Sequence, residues 1–463
     1  MSLLIKNGTI VTSEKSFLSD VLVSEGKISA IGNDLNFHEN TEIIDASDKY
    51  VFPGAIDPHV HFDLPTPAGP SSDNFETGSI AGIYGGTTAF IDFVTPRKNE
   101  SLIAALEQRL KVAESSKTDF GFHMSITSWN KDTAKDMEVC VKQYGITSFK
   151  CYMAYKGLIG IGIEEEELFE VMKKAASLNA LVTVHCELGD EILRMQKEFV
   201  IEGKNSPEYH CLSRPSWVES ESVTHVIAIA KKVHCPVYIV HTSAKESLEI
   251  ISSAQQRGQI VYSETCPQYL LLDDSVYKFP LPDSLKYVIS PPLRKKQDQQ
   301  SLWSGLKNNS IQTVATDHCP FNLKGQKDID LYNFARIPNG AGGIEHRLAL
   351  LYTFGVLQKK ISINQFVALT STNAAKIFGL YPQKGEIAVG SDADIVIWDP
   401  EKENIISAKT HHQHCDSNIF EGIKTKGSPE YVISKGVLAL SKGKCNSEKI
   451  NGSYLIRKTC LKA

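Results

Sequence analysis

The chain has 463 residues, 42% of them hydrophobic and 22% charged, which is typical of an ordinary soluble globular protein. It carries 49 Lys and Arg against 54 Asp and Glu, a formal net charge of −5 without a long basic run, so nucleic acid or an anionic membrane is not expected as a partner. The length exceeds one compact unit, and more than one domain is expected.

Ten cysteines are scattered along the chain without a C-x-x-C pair, and we interpret them as reduced, mostly buried thiols. The N-terminal residues turn polar too early for a signal peptide. No apolar segment approaches the roughly 20 residues that a bilayer span requires. These features predict a cytoplasmic protein.

The two ends of the chain have the texture of short strands. Residues 1–52 alternate apolar runs with turn signals such as Asn7-Gly8 and Glu25-Gly26, which is typical of a small antiparallel sheet. Residues 381–445 return to the same pattern. Two β-rich ends most simply pair into one β-sandwich domain. Residues 446–463 look like a polar tail, which we expect to pack on a neighbouring subunit.

Between the two ends, residues 53–380 alternate apolar runs of strand length with helical patterns. Continuous apolar strands in this order indicate a parallel sheet covered by helices. Eight such units predict an α/β fold of the (β/α)8 TIM-barrel type, with an open doubly wound sheet as the alternative. The runs are the one that ends at His61, then residues 87–93, 120–127, 148–154, 181–187, 237–243, 260–266 and 313–319.

The first run ends in a His-x-His pair, His59 and His61. Side chains alternate along a strand, so both rings point to the same side and can share one metal ion. Imidazole is a common ligand of zinc and related metals. An isolated pair would more often be two histidines that merely alternate, so other ligands must be found.

Other metal-capable groups stand near the ends of four further strands. Barrel enzymes carry their chemistry on the face formed by the carboxyl ends of the strands. Together with His59 and His61 of the first strand, these groups make six at equivalent positions of five strands, which exceeds what chance would place there. They also favour a closed barrel, because only a ring brings the first strand beside the eighth. The groups beyond the first strand are Lys150, His185, His241 and Asp317.

Lys150 needs a separate explanation. Four neutral imidazoles and one aspartate are a poor match for the charge of two divalent ions, yet six positions exceed the needs of one tetrahedral zinc. Carbamylation of the Lys150 amine by CO2 would supply an anion that bridges two metals. An unmodified ammonium there would be repelled by the cations. Taken alone, Lys150 would be a lysine whose amine reaches solvent at the barrel mouth.

Several longer motifs accompany these groups. They include Asp57-Pro58-His59-Val60-His61, Gly85-Gly86-Thr87-Thr88, Met153-Ala154-Tyr155-Lys156-Gly157, Glu264-Thr265-Cys266-Pro267, Ser290-Pro291-Pro292-Leu293-Arg294 and Thr316-Asp317-His318-Cys319-Pro320. Together, the motifs resemble the dihydropyrimidinase and D-hydantoinase branch of the amidohydrolase superfamily, from residue 3 to about residue 440. The resemblance implies a binuclear metal barrel with a β-sandwich from both chain ends, usually a homotetramer, with a dimer as the alternative.

The resemblance also implies roles for individual residues. Tyr155 would polarise the substrate carbonyl, and backbone groups of Ser290 and Asn339 would hold a cyclic imide. Two divalent metal ions per subunit are implied, with zinc preferred and manganese the alternative. The implied ligands are His59, His61 and Asp317 for the more buried ion, His185 and His241 for the other, and Lys150, as N6-carboxylysine, between them.

These roles predict a hydrolase that opens 5,6-dihydropyrimidines and 5-substituted hydantoins to N-carbamoyl amino acids, with Asp317 as the proton carrier. Allantoinase is the second candidate. Dihydroorotases carry an arginine where this chain has Asp63, which argues against that activity. A dihydropyrimidinase-like scaffold protein without catalysis is the third candidate. Residues 62–70 depart from the usual hydantoinase pattern, so the preferred ring substituent stays open.

Three further features look less informative. Residues 411–415, His-His-Gln-His-Cys, superficially resemble a second metal site, and we interpret them as a solvated loop. His123 and His318 are interpreted as packing residues or as residues that support the ligands. Residues 164–167, all glutamate, are interpreted as the N-terminus of a helix, where the dipole favours negative charge.

Overall fold

The computed structural model describes residues 2–156, 160–331 and 333–459. Its strands are β1 (Ser2–Val11), β2 (Ser16–Ser24), β3 (Lys27–Gly32), β4 (Glu42–Asp45), β5 (Tyr50–Pro53), β6 (Ala55–Asp57), β7 (Thr87–Val94), β8 (Asp119–Ser125), β9 (Ser148–Tyr152), β10 (Leu181–His185), β11 (Val237–Ile239), β12 (Val261–Thr265), β13 (Thr313–Val314), β14 (Ile395–Ile405), β15 (Lys424–Ser434), β16 (Val437–Ser441) and β17 (Lys444–Cys445).

The α-helices are α1 (Phe75–Tyr84), α2 (Leu102–Ala113), α3 (Lys131–Tyr144), α4 (Glu165–Ser177), α5 (Gly189–Ile201), α6 (Pro207–Leu212), α7 (Ser216–Lys232), α8 (Lys245–Gln256), α9 (Pro267–Leu271), α10 (Lys296–Lys307), α11 (Arg347–Leu351), α12 (Ile363–Val367) and α13 (Asn373–Ile377). In the part of the chain that the structure describes, none of these helices has the length and apolarity needed to cross a bilayer.

Strands β6 to β13 form one parallel sheet in chain order. Their residues are almost all buried, as expected for strands packed between a barrel interior and a layer of helices. All eight predicted strands are present. The predicted TIM barrel is confirmed, and the open doubly wound sheet is excluded because the last strand returns to the first.

The barrel closes at a seam between β13 and β6. Beyond the ends of these strands, Val60 and His318 form a parallel bridge, and the His61 amide donates to the His318 carbonyl at 2.8 Å. The fully buried Arg347 guanidinium donates to one carbonyl of each strand, at 2.9 and 3.0 Å. Closure therefore sets the carboxyl ends of the first and eighth strands side by side.

The helices that cover the barrel begin and end where local sequence signals place them. The side chain of Asn130 accepts from the first amides of α3, and Gly145, at φ 62°, ends that helix in the left-handed region. Helix α4 begins after Glu164 with three glutamates in its first turn, as the sequence predicts.

A second sheet of nine strands combines both ends of the chain. It runs β17-β16-β15-β14-β5-β1-β2-β3, and β4 pairs with β1. The junction is the antiparallel pair of β5 with β14, in which Val51 lies opposite Ile397. The predicted β-domain from both chain ends is thus confirmed. The boundaries at residues 52, 380 and 445 stay predictions.

The C-terminal tail lies against its own barrel. The Tyr454 ring packs near Phe120 and Phe122, and the Leu455 amide donates to the Phe120 carbonyl at 2.7 Å. Arg457 is 3% exposed and donates to the Ser148 hydroxyl at 2.9 Å. These contacts dock the tail on its own barrel, and the expectation that the tail also packs on a neighbouring subunit stays a prediction.

A buried charge cluster joins the barrel to the β-domain. The Lys384 amine, in a side chain 1% exposed, lies 2.9 Å from Asp119 at the start of β8 and 3.1 Å from Asp392, and it pairs with Asp394 just before β14. Burial alone would lower the pKa of Lys384, but the three carboxylates raise it well above its usual value. Lys384 is therefore charged, and it balances carboxylates from both domains.

Replacement of Lys384 by Met should lower the free energy of unfolding by about 3–5 kcal/mol at neutral pH, because it leaves three clustered carboxylates buried without this cation. The deficit should shrink as the pH falls, because protonation of the carboxylates removes the repulsion that the lost ammonium no longer balances. Urea unfolding across pH measures both effects.

The matched control is Lys27→Met, which removes a half-exposed lysine from the same cluster and should cost less than about 1 kcal/mol. Equal losses for the two variants would contradict the account of this cluster.

Candidate metal centre

Three side chains converge at the seam of the barrel. His59 Nε2 lies 3.2 Å from Asp317 Oδ1 and 3.2 Å from His61 Nε2, and His61 Nε2 lies 3.1 Å from the same Asp317 oxygen. Electron-rich atoms this close repel one another unless protons or a cation lie between them. Two imidazoles and a carboxylate form a donor set that divalent metals prefer.

The His59 ring is fixed from behind by a buried carboxylate. Glu264 Oε1 accepts from His59 Nδ1 at 2.7 Å, and Glu264 Oε2 accepts from the Tyr238 hydroxyl at 2.7 Å. With the proton on Nδ1, the lone pair of His59 Nε2 points toward His61 and Asp317. This is the carboxylate-histidine arrangement that orients metal ligands in proteins.

A second pair of histidines faces the same end of the barrel. His185 Nδ1 lies 2.9 Å from His241 Nε2, and His185 Nε2 donates to Glu187 at 2.8 Å. Burial favours a raised pKa for Glu187, but Arg214 and His185 hold that pKa at about 2, so Glu187 accepts as a carboxylate. Burial lowers the pKa of His185 and His241, which keeps both imidazoles neutral and able to bind a metal.

Lys150 lies on β9 with 1% of its surface exposed, and its amine sits 5.2 Å from the centre of the Phe93 ring. Within the described residues no ion pair holds this amine. Burial lowers the pKa of Lys150 to about 8, although Asp317 opposes this shift. A minor part of the amine is therefore neutral near physiological pH, and the neutral amine is the form that reacts with CO2.

Of the residues expected to contact substrate, Tyr155 lies beside the second pair of histidines. The Tyr155 ring lies 5.0 Å from the His185 ring, and burial raises the pKa of Tyr155 to about 12, so its hydroxyl stays protonated. Ser290 is buried, and Asn339 is partly buried. The motif that contains Tyr155 ends at Gly157, which lies outside the described residues.

Backbone conformation singles out three of these residues. Tyr155, His241 and Asp317 have φ values of 62°, 38° and 53°, in the left-handed region that residues with a Cβ rarely adopt. Such conformations persist where the surrounding structure enforces them, and they concentrate at functional sites. All three residues lie shortly after the carboxyl end of a barrel strand.

The two clusters together suit two divalent ions. One contains two imidazole nitrogens and a carboxylate oxygen whose ligand atoms lie within 4.8 Å of one another. The other has two neutral imidazoles, and a carbamate on Lys150 would add the anionic oxygen that they need. A further group of three aspartates, at Asp119, Asp392 and Asp394, has the spacing of a metal site, but the Lys384 ammonium takes that place.

Comparison with known proteins identifies the family of this chain. The sequence pattern of the amidohydrolase family matches residues 50–439. The chain belongs to this family. Metal dependence is a property of the family and agrees with the donor clusters of this member.

Within this family, the chain is similar to individual D-hydantoinases and dihydropyrimidinases. The amidohydrolase is 43% identical to the D-hydantoinase of Geobacillus stearothermophilus over 94% of this chain and 92% of that protein. It is 40% identical to dihydropyrimidinase 2 of Caenorhabditis elegans over 98% of this chain and 88% of that protein. The crystal structure of dihydropyrimidinase from Brevibacillus agri matches with a TM-score of 0.97 and 42% identity, covering 100% of both chains. The resemblance seen in the sequence is confirmed.

Sequence reasoning missed the residues that support the ligands. Glu264, Glu187, Arg214 and Tyr238 are buried around the histidines, but none is itself a candidate ligand by spacing. Glu264 carried a weak signal, since it opens one of the quoted motifs at the end of β12. The contact between Glu264 and His59 spans 205 residues, so no local pattern could reveal it.

The interpretation of His123 and His318 as packing or supporting residues agrees with the structure, whereas that of residues 411–415 does so only in part. His123 is buried and contacts the Ser148 hydroxyl at 2.6 Å, and His318 contacts Asp73 at 3.0 Å, so both act in packing and support. The interpretation of residues 411–415 as a solvated loop is wrong in part. Gln413 is 5% exposed, and the His414 amide donates to Asp73, because this loop packs behind the seam.

Replacement of Glu264 by Gln should weaken zinc binding about 10–100-fold while the fold is retained, because the His59 ring loses its anionic acceptor. Competition between the metal-free protein and a chromogenic chelator measures the affinity. Glu249→Gln makes the same change at an exposed site on α8 and should have no effect. Unchanged zinc affinity in a folded Glu264→Gln protein would contradict this role.

Proposed function

We propose that this amidohydrolase is a metal-dependent enzyme that opens the rings of 5,6-dihydropyrimidines and 5-substituted hydantoins to N-carbamoyl amino acids. The observation that carries the proposal is the convergence of His59, His61 and Asp317 at the barrel seam, with atoms 3.1–3.2 Å apart. Full-length similarity to D-hydantoinases and dihydropyrimidinases supports the substrate class.

In this proposal the site holds two divalent cations, zinc by preference and manganese as the alternative. When bound, the two ions lower the pKa of water at the site and polarise the carbonyl that is attacked. The residues that would hold them are His59, His61 and Asp317 for one ion, His185 and His241 for the other, and carbamylated Lys150 for both.

Carbamylation would convert Lys150 into an anion. The neutral amine attacks the carbon of CO2, so a nitrogen-carbon bond forms while one carbon-oxygen π bond opens and its electron pair moves to oxygen. The nitrogen gives up one proton to solvent. The product is an anionic carbamate with two oxygens. The lowered pKa of Lys150, about 8, supports this step because it keeps part of the amine unprotonated.

Groups of the protein itself would transfer protons and hold the substrate during hydrolysis. Asp317 takes a proton from the attacking water and delivers it to the ring nitrogen as the carbon-nitrogen bond breaks. Tyr155, whose hydroxyl stays protonated, donates a hydrogen bond to the oxygen that gains charge. Backbone groups of Ser290 and Asn339 hold the imide of the ring in place.

Location and assembly are further parts of the proposal. The nine cysteines that the structure describes are unpaired, which supports a reducing compartment such as the cytoplasm. A homotetramer, or a dimer, is proposed from the family resemblance alone.

Purified protein loaded with zinc or manganese should open dihydrouracil and a 5-substituted hydantoin faster than allantoin. Asp317→Asn should lower turnover by at least about 10²–10⁴-fold, because it removes both a ligand charge and the proton carrier. Loss of ring absorbance and formation of the N-carbamoyl product give the rates.

Asp34→Asn, which makes the same change at an exposed surface position, serves as the control and should leave the rates unchanged. Preference for allantoin would favour allantoinase. A metal-loaded protein that opens none of the three rings would favour a scaffold, and an active Asp317→Asn variant would remove Asp317 from proton transfer.

A further inference from the structure

Lys327 is a buried lysine that the mechanism described above does not use. Its side chain is 1% exposed, and its amine donates to the Val288 carbonyl at 2.9 Å and to the Pro338 carbonyl at 3.0 Å. Among the residues that the structure describes, no carboxylate forms an ion pair with it. Two backbone carbonyls thus take the place of the usual anionic partner.

The two carbonyls belong to the segments that are proposed to hold the substrate ring. Val288 lies two residues before Ser290, and Pro338 directly precedes Asn339. These segments are separated by about fifty positions in the chain, so their spacing depends on contacts between them. The Lys327 amine bridges the two segments by donating to one carbonyl of each.

Gly340 adds one direct contact between the same segments. Its amide donates to the Val288 carbonyl at 3.1 Å, so that oxygen accepts from both Gly340 and Lys327. Gly340 has φ 151°, and a Cβ there would lie 2.3 Å from the Cys319 carbonyl oxygen. The segment is therefore packed tightly against Cys319 at Gly340, and the Lys327 amine holds it at Pro338.

The Lys327 amine can hold both carbonyls whether or not it is charged. Burial lowers the pKa of Lys327 to about 7, while Cys415 and Cys319 act in the opposite direction. Both the ammonium and the neutral amine carry at least two N–H donors, so either form can serve both carbonyls. A methionine would fill the same space without desolvating an amine, so the hydrogen bonds explain the lysine.

We propose that Lys327 is a positioning residue for the substrate ring, holding residues 288–290 and 338–340 at the spacing at which backbone groups of Ser290 and Asn339 reach the imide. The inference rests on the proposed ring-opening function. Lys327 acts through these two segments and does not itself contact the reacting atoms.

The test compares wild type with Lys327→Met, Lys327→Gln and the control Lys324→Met, an exposed position of the same segment. In Lys327→Met, KM should rise about tenfold for both dihydrouracil and a 5-substituted hydantoin, because the imide is common to the two rings. The value of kcat should stay within about threefold, and zinc content should be unchanged. Lys327→Gln keeps N–H donors, so its KM should lie between the values of wild type and Lys327→Met.

Unchanged KM values in Lys327→Met, with wild type active, would overturn the inference. So would a fall in kcat and zinc content without a change in KM, which would indicate a purely structural role. If Lys327→Met does not fold, Lys327→Gln is compared with Lys324→Met. A higher KM in Lys327→Gln would support the inference, and equal KM values would overturn it. Wild type that opens neither ring would refute the proposed function itself, and the inference would fall with it.

Discussion

The return of the eighth barrel strand to the first is the constraint on which the rest of the site depends. The Val60 and His318 bridge, together with the hydrogen bond from the His61 amide to the His318 carbonyl, fixes the register of two segments that lie more than 250 residues apart. Asp317 stands one residue before this bridge and His61 one residue after it. The ring closure therefore brings the carboxylate, on the segment that directly follows β13, to the two histidines, on the segment that directly follows β6.

Closure alone would place the donors but not aim them. The buried carboxylates Glu264 and Glu187 each accept from one ring nitrogen, which turns the lone pair of the other nitrogen toward the centre. Burying such carboxylates carries a desolvation penalty, which Tyr238 and Arg214 offset by donating to them. The role proposed for Lys327 is similar, because its amine donates to two backbone segments.

The sequence was most informative where the argument depends on periodicity and on position along a strand. Alternation placed His59 and His61 on one side, and the repeated strand-helix order placed His185, His241 and Asp317 at equivalent strand ends. It could not reveal contacts between distant segments, such as Glu264 with His59. Nor could it reveal the left-handed backbone at Asp317, because that conformation is imposed by packing rather than by residue type.

Two segments that read as polar make contacts that the sequence did not predict. Within residues 446–463, Tyr454 and Leu455 dock the tail on its own barrel. The loop of residues 411–415 read as solvated, yet one buried glutamine and one backbone amide attach it behind the seam. In both segments a minority of residues makes the contacts, and average polarity conceals them.

The central claim is that barrel closure assembles a site for two cations that is completed by a carbamate on Lys150. Metal-free protein reloaded with zinc, with and without bicarbonate, tests it most directly by elemental analysis after removal of unbound metal. The account predicts about two zinc ions per chain with bicarbonate and fewer without it, since the bridging anion would then be missing. At most one ion per chain, unaffected by bicarbonate, would contradict the account.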